Sequence, residues 1–259
     1  MPTSWDELQK DLFPIKDYED LSRRWRESFE YPFVLDSYNF TMPEIIRYTD
    51  RLLGEDTRQR YTEYNRNLVK TFERFNQAGV KNLRDLTTRV DSRQSFEQFC
   101  EQSGIPASEI ISALKYLVYW VIPVKKRLAE LARPDEPIQD QIKVLQAIKV
   151  RFNLDLIEQG RSETGRQTLA GSSGLDPATI VELVNRADLS RMPWASKATI
   201  SNIVGAGYGR LSKLANAAPQ KLFDDFARYG ETIGKNLNFG NEIESSYRIA
   251  KIIPLIIKN

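Results

Sequence analysis

The residues of this sequence best suited to chemistry lie in one stretch of its carboxyl-terminal half, residues 189–223. Trp194 lies in this stretch and offers an indole face on which a base or a sugar could stack. No carboxylate is present there, which suits phosphate binding because no acid competes for the cations. Five cations in this length are also an ordinary density for a solvated face, and we favour that simpler interpretation. The basic residues are Arg191, Lys197, Arg210, Lys213 and Lys221.

The absence of histidine excludes most common catalytic designs. The sequence has no imidazole for general base chemistry at neutral pH, no Ser-His or Cys-His nucleophile pair and no histidine metal ligand. It also lacks a phosphate loop, a HExxH-type metal spacing and a strand-GxGxxG-helix unit. We therefore predict that the protein is not an enzyme and uses no metal or cofactor. A carboxylate-only enzyme, with acids converging in a pocket, is a third hypothesis.

Length and composition indicate a globular chain in a reducing compartment. The 259 residues are 41% hydrophobic, enough to form one large core or two small ones. The strongest apolar run, 113–124, contains Lys115 and Pro123, so it falls short of the roughly 18 uninterrupted apolar residues of a membrane-spanning helix. The acidic amino terminus lacks a signal-peptide pattern, and the single Cys100 cannot form an internal disulfide. We expect a cytoplasmic protein and leave association with a membrane surface open.

The elements that must position these residues are helices. Thr-Met-Pro-Glu at 41–44 is a capping box that begins one helix, and Gly54 is expected to end it as a left-handed cap. From Thr57, apolar residues repeat at steps of three and four up to Ala-Gly at 78–79, which predicts a second, longer helix. Strand-like alternation is confined to short pieces such as 31–35. The pattern therefore predicts an all-α fold.

An internal repeat with a spacing of 70 residues organises the chain. Each copy reads as a short helix, a glycine turn and a longer helix, with Gly104 and Gly174 ending the preceding helices. Such units cannot easily bury their apolar faces alone, so we expect them to pack on one another or on the amino-terminal helices. The earliest pair of matched segments requires one residue of slippage. The matched segments are 82–86 with 153–157, 103–114 with 173–184, and 122–124 with 192–194.

Four segments carry a resemblance: Gly-Val-Lys-Asn-Leu-Arg-Asp-Leu at 79–86, Ser-Gly-Ile at 103–105, Asn-Arg-Ala-Asp-Leu-Ser-Arg-Met at 185–192 and Ala-Gly-Tyr-Gly-Arg-Leu-Ser-Lys-Leu-Ala at 206–215. This pattern is similar to helix-hairpin-helix proteins, and more narrowly resembles uncharacterised proteins built from tandem, SAM-like helix-hairpin-helix units. The resemblance covers roughly residues 72–240. It implies a compact all-helical fold and no established activity. Many helix-hairpin-helix domains bind DNA without reading its sequence, through backbone amides of the hairpin turn that donate to a phosphate.

The resemblance and the composition together predict three regions. The segment 132–140, with two prolines and three acids, interrupts the helical periodicity and is the expected boundary between the two copies. We predict an amino-terminal helical extension over 1–70 and a first helix-hairpin-helix-like unit over 71–133. The second unit is predicted to span 141–259 and to include the carboxyl-terminal apolar tail.

The hairpin turns depart from the family pattern. Nucleic-acid-binding turns read Pro-Gly-x-Gly, because glycine permits positive φ and a close approach of the backbone to a phosphate. Here the turn of the second copy is Pro193-Trp194-Ala195-Ser196, so both glycines are replaced. The first copy has Pro123-Val124-Lys125-Lys126, which is predicted to continue as a helix. We therefore expect neither copy to keep the phosphate-gripping turn.

Apolar residues at the two ends of the chain favour a function in protein binding. The tail 249–258 is strongly apolar and either completes a core or docks into another molecule. The amino-terminal stretch is rich in aromatic residues, which are enriched at protein interfaces. We predict a non-catalytic helical adaptor or assembly module that binds a protein partner. The predicted partner-binding residues are Trp5, Trp25, Phe33, Trp194 and Ile256.

The alternative is sequence-independent binding to the nucleic-acid backbone through the second hairpin. The net charge of the chain is only +2, but residues 145–259 hold 15 basic and 11 acidic residues, a net charge of +4. This alternative predicts that affinity falls steeply as salt rises. Its predicted contacts are Arg191, Trp194, Lys197, Arg210 and Lys213.

Overall fold

The apolar spacing of three and four residues forms helices in both halves of the chain. The computed structural model describes residues 4–54, 59–237 and 240–258. The chain divides into two compact units, and the border between them lies between Val124 and Lys125. Among the described residues, the structure contains helices and two isolated β-bridges but no extended strand. The predicted all-α class is therefore confirmed.

The first unit contains a series of short helices and one long one. The helices are α1 (Trp5–Leu12), α2 (Tyr18–Ser28), α3 (Pro32–Tyr38), α4 (Met42–Leu53), α5 (Gln59–Gln77), α6 (Leu83–Arg89), α7 (Arg93–Ser103), α8 (Ala107–Tyr116) and a π-helix (Leu117–Val121). In this unit α4 packs on α5, and α8 packs on α1 and α5.

The two ends of α4 test the capping predictions. The capping box is confirmed, because the backbone N–H of Thr41 donates to Glu44 Oε2 over 2.8 Å. The prediction that Gly54 forms a left-handed cap is wrong. Its φ is −67°, and its N–H donates to the carbonyl of Asp50, so the chain continues in a right-handed turn. Thr57, the predicted start of the next helix, lies outside the described residues.

Aromatic residues near the amino terminus form much of the core of the first unit. The rings of Trp5, Tyr18 and Phe96 pack together with centres 4.8–5.5 Å apart. Trp25 and Phe33 are almost completely buried. Burial of a large apolar side chain contributes about 1.5–3 kcal/mol to folding, so these residues stabilise this unit.

The second unit begins with a 3₁₀ turn and continues as helices of 5 to 14 residues. Here α12 packs against α10 and α11, and α13 against α15 and the 3₁₀ turn. The elements are the 3₁₀ turn (Leu128–Leu131), α9 (Ile138–Ala147), α10 (Asn153–Gly160), α11 (Glu163–Ser173), α12 (Pro177–Leu189), α13 (Lys197–Gly205), α14 (Leu211–Ala215), α15 (Pro219–Thr232) and α16 (Gly240–Ala250).

The apolar tail that follows α16 belongs to the core of the second unit. Ile253 and Ile256 are buried, and the backbone N–H of Lys258 donates to the carbonyl of Arg161 over 2.8 Å. Of the two alternatives predicted for this tail, the structure shows the first: it completes a core.

The repeat with a spacing of 70 residues is visible in the backbone. Gly79, after α5, and Lys149, after α9, have left-handed φ angles of 78° and 70°. Gly104 and Gly174 end α7 and α11 as left-handed caps, with φ of 64° and 70°. The prediction that these two glycines end their helices is confirmed.

The entry into α6 and α10 fixes the register of the repeat. Asn82 forms a β-bridge with Thr41, and Phe152 forms one with Arg127. Asn82 and Phe152 are each the N-cap of their helix and are 70 positions apart. The predicted slippage of one residue is therefore wrong, because the left-handed turn that precedes each helix sets the same register in both copies.

The two copies end differently. The first ends in the π-helix, and Ile122 is extended, with φ −81° and ψ 140°. Proline disfavours helical backbone at the preceding residue, which accounts for this stop before Pro123. The predicted helix through 123–126 is wrong, since those residues are not helical. In the second copy α12 ends at Leu189, and a turn leads into α13.

Candidate functional site

The turn between α12 and α13 keeps the backbone conformation of a glycine turn without the glycine. Trp194 occupies the first glycine position of the Pro-Gly-x-Gly pattern, and its φ is +58°. The turn is closed by hydrogen bonds from Met192 N to Leu189 O and from Ala195 N to Met192 O, both 3.1 Å. A left-handed backbone costs a residue with a side chain roughly 1–2 kcal/mol. The surrounding structure therefore has to hold Trp194 in place.

Lys126 supplies a clamp on this turn. Its Nζ donates to the carbonyls of Ser190 and Ala195, over 2.8 and 2.9 Å, one on each side of Trp194. Asn153 supports the same end of the turn, because it accepts from the Lys126 backbone N–H over 2.8 Å and donates to Ser190 Oγ over 2.9 Å. Burial lowers the pKa of the Lys126 ammonium group to about 8. Sequence reasoning missed Lys126 and Asn153, because neither lies near the turn in sequence.

Arg191 does not face solvent. Its guanidinium group is fully buried and forms an ion pair with Asp188, with an Nε–Oδ1 distance of 2.8 Å. A cation in this position cannot reach a phosphate in solution. Burial therefore removes Arg191 from the predicted nucleic-acid contacts. The spacing of Asp188 and Arg191, three residues apart on one helix end, was the available signal for this pair.

Trp194 and Lys197 remain on the surface of this hairpin. The Trp194 side chain is 57% exposed. Lys197 is exposed at the start of α13, which is capped by Ser196 accepting from the N–H of Thr199 over 3.1 Å. Lys197 has no ion pair among the described residues. An indole ring and an unpaired ammonium group therefore lie three residues apart.

A second group of cations surrounds an open cleft of about 600 Å³ beyond the other end of α13. Gly207, with φ of 91°, turns the chain there. A Cβ placed on Gly207 or Gly209 would meet no atom within 4 Å, so this backbone is open to approach. The residues that line the cleft include Gly207, Tyr208, Arg210, Lys213, Lys221 and Asp225.

The charges in this cleft are unbalanced. Asp225 accepts hydrogen bonds from Lys221 Nζ and the Tyr208 hydroxyl, over 2.7 and 2.8 Å, and the bond from Lys221 lowers the pKa of its carboxyl group. Arg210 and Lys213 are exposed and have no ion pair within the described part of the chain. Lys213 lies over the Tyr208 ring, 5.7 Å from its centre. The cleft therefore presents two uncompensated cations, Arg210 and Lys213, whereas the charge of Lys221 is balanced by Asp225.

Most of the predicted partner-binding residues are inside their units. Trp25, Phe33 and Ile256 are buried, so they act as core rather than as a docking surface. Trp5 is half-buried, and its Nε1 donates to Glu97 Oε1 over 2.6 Å. Trp194 is the one predicted partner-binding residue with most of its side chain exposed. An amphipathic aromatic pattern looks the same in sequence whether a neighbouring helix or another molecule covers it.

A large cavity of the first unit is lined by acidic residues rather than by cations. It measures about 1120 Å³ and is lined by Glu7, Glu97, Glu101 and Cys100, among others. Burial raises the pKa of the Cys100 thiol to about 11, so it is not poised as a nucleophile. Among the described residues, no three metal-ligating side chains are grouped to hold a metal ion. None of the helices described is long and apolar enough to cross a membrane.

The second unit is thus a small helical unit with cations at two loops. Residues 138–239, which include both loops, match the model of a family described as "Domain of unknown function (DUF4332)". No curated protein and no solved structure matches the chain. The match agrees with the resemblance to an uncharacterised family and assigns no activity.

Proposed function

We propose that the second unit is a non-catalytic, helix-hairpin-helix-type module that binds the phosphate backbone of nucleic acid without reading its sequence. The observation that carries this proposal is the set of exposed cations without ion pairs at the two loops flanking α13. Lys197 is the first residue of α13, directly after one loop; beyond the other loop, Arg210 precedes α14 and Lys213 lies within it. Cations that no acid neutralises are the main source of sequence-independent affinity for nucleic acid.

The spacing of the two loops suits an extended polyanion. Helix α13 has nine residues, so its ends are about 13 Å apart at the usual rise per residue. Each loop contains one left-handed residue, Trp194 or Gly207, that turns the chain sharply. The open backbone at Gly207 and Gly209 lets a phosphate approach the amide groups closely.

A protein partner is the second candidate, and one observation favours it. Trp194 and Leu255 are 57% and 64% exposed, and exposed aromatic residues are typical anchors of interfaces. Burial of Trp25, Phe33 and Ile256 removes most of the surface on which that function was predicted. Of the residues predicted to contact nucleic acid, burial removes only Arg191. We therefore place nucleic-acid binding before binding of a protein partner.

The test is binding of fluorescent single- and double-stranded DNA and RNA at several salt concentrations. We compare the wild type with Arg210→Glu/Lys213→Glu. The matched control is Lys70→Glu/Arg84→Glu, which changes the net charge equally but lies in the first unit, where both residues are exposed.

We expect binding at low salt that weakens as salt rises. The variant in the cleft should lose at least about tenfold in affinity, and the slope of log K against log salt should fall by about two for a duplex. The control should bind as the wild type does. Equal losses of affinity in both variants would show that binding depends only on net charge, which would contradict a site at α13. Absence of binding at low salt would overturn the proposal and leave the protein partner.

A further inference from the structure

Trp194 combines two unfavourable features at one position. Its backbone is left-handed, which a side chain disfavours, and this large aromatic residue is 57% exposed. Glycine at this position would avoid both costs. Strained residues that persist because their surroundings hold them are concentrated at functional sites. We propose that Trp194 is a stacking platform for an unpaired base, so that the nucleic acid bound by the second unit is single-stranded. This inference rests on the function proposed above.

The turn is built to present the ring rather than to bury it. Met192 and Ala195, on either side of the Pro193-Trp194 pair, are 2% and 5% exposed and anchor the turn in the core. The Lys126 ammonium group fixes the carbonyls of Ser190 and Ala195. With both flanks fixed, the backbone that carries the indole is held in position before a ligand arrives. Less conformational entropy is then lost on binding.

An indole ring favours single-stranded over double-stranded nucleic acid. Every unpaired base has an apolar face that can stack on an aromatic ring, with little preference for sequence. In a duplex those faces are covered by neighbouring base pairs. A ring at the first glycine position also stands where a rigid duplex backbone would have to approach the amides of the turn. Lys197, three residues further on, can bind the phosphate of the same strand.

The experiment compares single-stranded and double-stranded oligonucleotides of equal length on the wild type, Trp194→Gly and Trp194→Phe. Glycine suits the left-handed backbone, so Trp194→Gly should fold with a melting temperature equal to or above that of the wild type. Affinity for the single strand should fall about tenfold in Trp194→Gly and less in Trp194→Phe. Affinity for the duplex should stay the same or rise.

Tryptophan fluorescence gives a second measurement. The single strand should quench the emission of the wild type but not that of Trp194→Gly, whose remaining tryptophans, Trp5, Trp25 and Trp120, lie in the first unit. Equal binding of single strands by the wild type and Trp194→Gly would overturn stacking and leave backbone binding intact. Preference of the wild type for the duplex would also overturn it. Failure to bind either nucleic acid would overturn the proposed function itself.

Discussion

The two copies of the repeat share a backbone and differ where the second copy carries its candidate chemistry. Both contain the same left-handed turns and the same serine bond: Ser103 Oγ and Ser173 Oγ each donate to the carbonyl four residues earlier, over 2.6 Å. At the last helix the copies diverge. Val118 and Val121 of the first copy are replaced, 70 positions on, by Asp188 and Arg191. The comparison shows one helical frame with an apolar end in one copy and, in the other, a buried ion pair followed by a hairpin that exposes Trp194.

Charge follows the same division. Residues 1–124 hold 17 basic and 20 acidic residues, a net charge of −3, whereas residues 125–259 hold 20 basic and 15 acidic residues, a net charge of +5. The large cavity of the first unit is lined by glutamates, and the cleft of the second by Arg210 and Lys213. Attraction of a polyanion is therefore expected for the second unit, and repulsion for the first.

The strongest test of the comparison is to convert the buried ion pair of the second copy into the apolar pair of the first. Arg191→Met alone leaves the Asp188 carboxylate buried without its cation, and the free energy of unfolding should fall by about 3–5 kcal/mol. Asp188→Val/Arg191→Val restores the residues of the first copy and should be as stable as the wild type or more so. Urea unfolding measures both. A loss below about 1 kcal/mol in Arg191→Met would show that the pair is not a buried unit.

The clamp on the hairpin should appear as a dependence of stability on pH. The folded pKa of Lys126, about 8, lies below the ~10.4 of an unfolded lysine. Between these values the unfolded state holds more protons, so this group makes the free energy of unfolding rise with pH, by on the order of 2 kcal/mol from pH 8 to 10.

Lys126→Met should abolish this rise. The measurement is the difference in unfolding free energy between the wild type and the variant at each pH, because burial also raises the pKa values of Cys100 and Tyr64, to about 11 and 12, and these residues contribute equally to both proteins. A difference that is constant from pH 8 to 10 would contradict the burial of a charged Lys126.

The smallest effects should come from exchanging the turn residues of the two copies. Lys149→Gly removes a side chain from a left-handed residue and should stabilise the protein by about 0.5–1 kcal/mol. Gly79→Lys should destabilise it by a similar amount, since a Cβ there meets no atom and only the φ of 78° opposes it. Thermal unfolding detects both shifts. Stability changes of the same sign in the two variants would show that these two turns are not equivalent.

Local rules predicted the parts of the fold that depend on neighbours in sequence. The capping box at Thr41, the caps at Gly104 and Gly174 and the spacing of the repeat follow from residues within one or two turns. The apolar segment 31–35, which looks strand-like, begins a helix because Pro32 occupies its first position. Gly54 differed from its prediction because glycine permits a left-handed cap without requiring one.

The candidate site could be predicted only in part, because exposure depends on contacts distant in sequence. Arg210 and Lys213 lie on the surface, as their acid-free surroundings suggest. Trp25 and Trp194 have the same side chain, and only the packing of whole helices decides that one is core and the other exposed. Lys126 contacts a turn more than 60 positions away, and no local sequence pattern predicts such a hydrogen bond.

The position of Lys126 has a consequence for isolating the hairpin as a fragment. A fragment limited to the family match, residues 138–239, would omit Lys126 and the tail that covers the core. It would also omit the carbonyl of Leu131, which accepts from the buried Arg186 over 3.2 Å. Its Trp194 turn would therefore lose the groups that oppose its strain, and it should relax toward the right-handed or extended backbone that tryptophan prefers. A fragment that keeps the Lys126 contacts to this turn therefore has to begin before Lys126, outside the family match.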